Sequence, residues 1–99
     1  MLLEISEAAD NDIVDIYSYT AVKFGQTQAV DYLLGLDQLL ISLTTNVLVG
    51  RERNEIRTSL RSIPYVAHVV FYRILPDRIR IVRIIHASRD LLRHFEEQL

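Results

Sequence analysis

The stretch "HVVFYRILPDRIRIVRIIHA", residues 68–87, decides the fold. Residues 68–74 and 79–87 are dense in β-branched and aromatic side chains, the residues that fit a pleated, half-buried surface. Between them "LPDR" supplies Pro76 and Asp77, which favour a tight turn. Two such runs joined by a short turn are expected to form an antiparallel hairpin. Arg80 and Arg83 sit among its isoleucines, and the stretch leads into His86 and an Arg89–Asp90 pair. If the turn pairs Ile74 with Ile79, then Tyr72 opposes Ile81, Val70 opposes Arg83 and His68 opposes Ile85.

Upstream, "LRSI" (60–63) reads as a short strand and "PYVA" (64–67) as its turn. That turn is expected to pair Ile63 with His68 and to set Arg61 opposite Val70. Because side chains alternate along a strand, one sheet face then carries Arg61, Ile63, His68, Val70, Tyr72, Ile81, Arg83 and Ile85. The other carries Val69, Phe71, Val82 and Ile84, with Arg73, Arg80 and His86 towards its ends. The second face is the drier and is expected to pack on helices. Arg61 and Arg83 then share the open face about 10 Å apart, with His68 and Tyr72 beside them. The plainer reading makes His68 a hydrogen-bonded sheet histidine and Tyr72 a packing residue.

Towards the N-terminus the period changes from two to three and four. "LLEIS" (2–6) is a short apolar run ending on Ser6, a residue suited to cap a helix whose first turns carry Glu7, Asp10 and Asp12. Ala9, Ile13, Ile16, Tyr17 and Phe24 then mark one helix face, and Gly25 ends it. Thr27 is placed to cap a second helix, whose apolar stripe runs through Ala29, Tyr32, Leu33, Leu36, Leu39, Leu40, Leu43 and Val47. Residues 46–59, with Gly50 and a crowd of charges, read as a surface loop. "SRDLLRHFEEQL" places Leu91, Leu92, Phe95 and Leu99 at helical spacing. The expected order is β-α-α-β-β-β-α: one α+β domain over residues 1–99, with a helical hairpin packed on a small antiparallel sheet.

Charge divides the chain. Residues 1–50 hold one base and seven acids, and residues 51–99 hold ten arginines, no lysine and six acids, so halves of −6 and +4 make the overall −2. Guanidinium groups are planar, weakly hydrated and forked, and as a set they suggest an acidic partner. The chain has no cysteine, so disulfides and thiolate metal sites are excluded. No apolar run reaches membrane-spanning length, and the first residues lack the pattern of a secretory leader. These features fit a cytoplasmic protein.

The whole pattern resembles the ParE branch of the RelE/ParE toxin superfamily, the toxin half of bacterial type II toxin–antitoxin modules. The resemblance is carried by "ISEAADNDIVDIYSYTAVKFGQTQAVDYLLGLDQLLISL", by "VGRERNEIRTSLRSIPYVAHVVFYRI" and by the closing "IRIVRIIHASRDLLRHF", in that order over about 90% of the chain. It implies a toxin neutralised by a cognate ParD-like antitoxin in a hetero-oligomer, with DNA gyrase as target and no chemistry of its own. Arg61, His68, Tyr72, Arg83, His86 and Arg89 are the residues expected to meet antitoxin or target. No catalytic residue, metal ligand or cofactor is assigned. Net acidity argues against direct reading of DNA by this chain. The sister RelE branch implies an alternative, ribosome-dependent mRNA cleavage, in which Arg61 and Arg83 would stabilise the phosphorane and His68, Tyr72 or His86 would move protons.

Overall fold

The computed structural model describes residues 1–91, 93 and 95. Its elements run β1 (Leu2–Ile5), α1 (Glu7–Phe24), α2 (Gln26–Leu43), β2 (Arg51–Glu52), β3 (Arg61–Tyr65), β4 (His68–Ile74) and β5 (Arg78–His86). Leu91, Arg93 and Phe95 are helical. Leu92 and Leu99, which complete the expected C-terminal stripe, lie outside the described residues. The α+β architecture forms as the periodicities imply, with two departures. The sheet is mixed, because β1 runs parallel to β5, and the loop after α2 contributes a two-residue edge strand. Strand order is β1-β5-β4-β3-β2.

Ser6 starts α1 as expected. Its Oγ accepts from the Ala9 N–H at 3.0 Å and donates to the Val82 carbonyl at 2.8 Å, so one side chain both caps the helix and ties it to β5. Gly25, at φ 94°, is the entire junction between the helices. It ends α1 and serves as N-cap of α2, with no side-chain cap from Thr27. A left-handed φ at a one-residue turn is the conformation glycine adopts without a Cβ penalty.

Register departs from expectation in two places: a two-residue slide between β3 and β4, which keeps their faces, and a one-residue bulge in β5, which moves residues 83–86 to the other face. The β3–β4 turn is Val66-Ala67 alone, so Tyr65 pairs with His68, Ile63 with Val70 and Arg61 with Tyr72. Val66 takes φ 49°, a costly conformation for a β-branched residue, and nothing in its side chain announces a turn. The β4–β5 hairpin begins as expected with Ile74↔Ile79 and Tyr72↔Ile81, then bulges. Val82 is the extra residue, so Phe71 pairs with Arg83, Val70 with Ile84 and His68 with His86.

The helices cover the face expected to be open: Ile63, Val70, Tyr72 and Ile81, joined by Ile84, pack with Ala9, Ile16, Leu36, Leu40 and Leu43. Val69, Phe71, Val82 and Ile85 form the opposite face, under Leu60, Leu91 and Phe95. Both faces are thus dry at the centre. Arg61 lies on Tyr72's side and Arg83 on Phe71's side, so the shared open face expected for the two guanidiniums does not form.

Candidate functional site

β1 ends at Ile5, which leaves the second half of β5 without a neighbouring strand on that side. Asp12, one turn into α1, closes the gap. Its carboxylate accepts from the Ile84 N–H at 2.9 Å and takes a two-pronged bond from Arg83, Nε at 2.8 Å and Nη2 at 3.0 Å. Both side chains are largely buried. Arg83 is therefore a fixed, neutralised cation, and the ion pair keeps its proton affinity above the ordinary arginine value.

Beyond this pair a cleft of about 360 Å³ opens between α1 and the end of the hairpin, where His68, Arg83, His86 and Arg89 face Asp15 and Tyr19. Four of the six residues expected to bind a partner meet here. The histidine rings stack edge to face with centroids 5.2 Å apart. His86 Nδ1 accepts from the Ser88 N–H at 3.1 Å, which leaves the ring proton on Nε2. His68 Nδ1 lies 2.6 Å from the Tyr32 hydroxyl, which in turn is 3.4 Å from the Tyr65 carbonyl. A proton on Nδ1 satisfies that whole chain.

Burial, and next the neighbouring His86, push the His68 pKa below the ordinary 6.5, while Asp12 pulls the other way. The unfolded chain then binds a proton that the folded chain resists. Stability should fall as pH drops from about 6.5 towards the lower folded value, and level off below it. Urea unfolding at pH 7.5 and 5.5 measures this. The difference should shrink in His68→Gln, and an unchanged difference would assign the slope to other groups.

The other two expected residues lie elsewhere. Arg61 bends towards the loop after α2, donating to the carbonyls of Gly50 at 2.6 Å and Leu48 at 3.3 Å and pairing with Glu52 at 3.2 Å. Tyr72 is fully buried. Its hydroxyl donates to the Val47 carbonyl and accepts from the Gly50 N–H, each at 2.8 Å. A Cβ at position 50 would strike that hydroxyl, so the close approach requires glycine. As a surface contact residue Tyr72 is misplaced, and it acts as the post that holds the loop.

Sequence reading passed over an apolar groove on the hairpin. Ile5, Val30 and Leu34 are 38%, 41% and 56% exposed and line a space of about 350 Å³ with Tyr17, Leu33 and Asp37. The signal was present: α2 has a second apolar row at 30, 34 and 41, wider than one buried stripe requires. Among the described residues no helix is long and apolar enough to cross a membrane.

A family model described as the ParE toxin of type II toxin–antitoxin system, parDE, matches residues 3–91. Toxin ParE1 of Caulobacter vibrioides is 30% identical over 90 residues, covering 91% of this chain and 93% of that protein. Toxin ParE1 of Mycobacterium tuberculosis is 31% identical over 91 residues with the same coverages. A chain from the solved chromosomal ParDE TA system of P. aeruginosa superposes with a TM-score of 0.79 at 21% identity, covering 89% of this chain and 97% of that one, and so shares its fold.

Proposed function

This chain belongs to the ParE toxin family of type II toxin–antitoxin systems, and from that premise we propose that it inhibits DNA gyrase by binding, without chemistry of its own, until a cognate ParD-like antitoxin neutralises it. The observation that carries this reading is the family match over nearly the whole chain. The site geometry supports a binding role over a nucleolytic one. RNA cleavage requires cations and proton-transfer groups converging on one phosphate. Here Arg61 and Arg83 face opposite sides of the sheet, Arg83 is held by Asp12, and the Tyr72 hydroxyl is committed to the backbone.

The antitoxin is proposed to cover the apolar hairpin groove, with the His68–Arg83–His86–Arg89 cleft as the polar surface offered to antitoxin or target. Toxin, antitoxin and gyrase meet in the cytoplasm in this reading. Purified toxin added to gyrase and relaxed plasmid should block supercoiling and accumulate cleaved DNA, and antitoxin should reverse both. A parallel translating extract should keep its mRNA intact. Cut mRNA together with unaffected gyrase would overturn the proposal in favour of the RelE-type ribonuclease.

A further inference from the structure

On the sheet face away from the helical hairpin, four guanidiniums converge on a cleft of about 350 Å³: Arg57 from the loop, Arg73 from β4, and Arg80 and Arg83 from β5. Arg73 and Arg80 are direct cross-strand partners. Like charges opposite one another destabilise a sheet unless something neutralises them. Arg80 is answered by Glu4, its partner on β1, and Arg83 by Asp12. Among the described residues Arg57 and Arg73 have no carboxylate partner. Each also has its Nε shielded from solvent with no hydrogen-bond acceptor. A shielded, charged donor without an acceptor is costly, and such groups are rare where no ligand or ion completes them. Arg57 lies over the Phe95 ring, 5.4 Å from its centre, so its plane is held in place rather than free to seek water.

We propose that this arginine cleft is a binding site for a dianionic phosphoryl group, a phosphate monoester rather than a carboxylate. The charge balance makes the choice. Two of the four cations are already neutralised, which leaves two, and a phosphate monoester carries about −1.5 to −2 near neutral pH. Its several oxygens can accept from more than one guanidinium fork, whereas a single carboxylate brings one charge and two oxygens. Phe95 and Val82 form the apolar wall that keeps the donors dry. The site lies on the sheet face opposite the apolar hairpin groove and does not depend on gyrase being the target.

The test is titration calorimetry of the full chain with sodium phosphate at fixed ionic strength. Adenosine 5′-monophosphate, matched 5′-phosphorylated and 5′-hydroxyl oligonucleotides, and a glutamate-rich peptide form the further arms. Saturable one-to-one binding of phosphate and of the mononucleotide is expected, and that of the mononucleotide should strengthen as pH rises through roughly 6, where a monoester loses its second proton. Arg73→Gln should weaken it by about tenfold or more, Arg73→Lys should recover part, and Arg51→Gln, exposed and outside the cleft, should leave it unchanged. Lys at 73 keeps the charge, so its recovery separates a binding role from a folding one. Tighter binding of only the 5′-phosphorylated strand identifies a nucleic-acid end as the source, and equal binding of phosphate and the mononucleotide identifies a free monoester. Absent saturation, equal affinity in Arg73→Gln, or displacement by the peptide at matched concentration overturns the proposal.

Discussion

Tyr72→Phe should destabilise the fold by about 2–4 kcal/mol, the loss expected when one deleted oxygen orphans a buried N–H and a part-buried carbonyl. The Tyr72 ring is fully buried against the helices, and phenylalanine fills the same volume, so packing is conserved. The Gly50 N–H and the Val47 carbonyl lose their shared partner. The backbone approaches the ring closely here, since even a methyl group on residue 50 would collide with the hydroxyl. The change travels outward, because the Gly50 carbonyl also receives Arg61. Equilibrium urea unfolding gives the magnitude, and hydrogen exchange over residues 47–52 shows whether the loop opens first. A loss below about 1 kcal/mol would mean that water or a loop shift satisfies both groups. Any loss of toxicity in this variant then has to be read against its stability.

The same tyrosine shows how far the sequence could be read. Element identities followed from periodicity because the signals are local: Ser6 and Gly25 bracket α1, and Pro76-Asp77 sets the Ile74–Ile79 pairing. Face assignment failed for two reasons: both faces are dry at the centre, so dryness does not tell which one the helices cover, and neither the tight turn nor the bulge carries a local marker. Val66 adopts a turn conformation that composition assigns to glycine or asparagine, and Val82 bulges without a glycine. The Val66-Ala67 turn slides β3 by two residues and keeps its faces, whereas the single extra residue at Val82 moves positions 83–86 to the other face. Asp12 was read as a charge suited to a helix start. Its bond to the Ile84 N–H exists because β1 stops at Ile5, and no local signal in the sequence marks that end. His68, Arg83, His86 and Arg89 still gathered in one cleft, since all four lie at one end of the hairpin whichever face the strand presents.

Leu34→Asp should abolish capture by the antitoxin while leaving the toxin folded and active, and the two halves of that expectation are separately decisive. Leu34 is more than half exposed on α2, so aspartate there removes little buried surface and costs the helix less than about 1 kcal/mol. An amphipathic antitoxin segment seated in the groove would have to desolvate that carboxylate beside Asp37, which already lines it. Leaving a charge unpaired in an apolar contact costs on the order of 3 kcal/mol or more, which is about a 100-fold loss of affinity. Surface plasmon resonance with immobilised antitoxin measures the loss, and the urea midpoint guards against misfolding. Co-expression supplies the second reading. Antitoxin should rescue growth from the wild-type chain and fail against Leu34→Asp, whose proposed inhibition of gyrase should be unchanged. Affinity within threefold of wild type would move the antitoxin off the hairpin and onto the cleft formed by His68, Arg83, His86 and Arg89. There Arg89→Glu, at an exposed position outside the Asp12 pair, would become the change that breaks the complex.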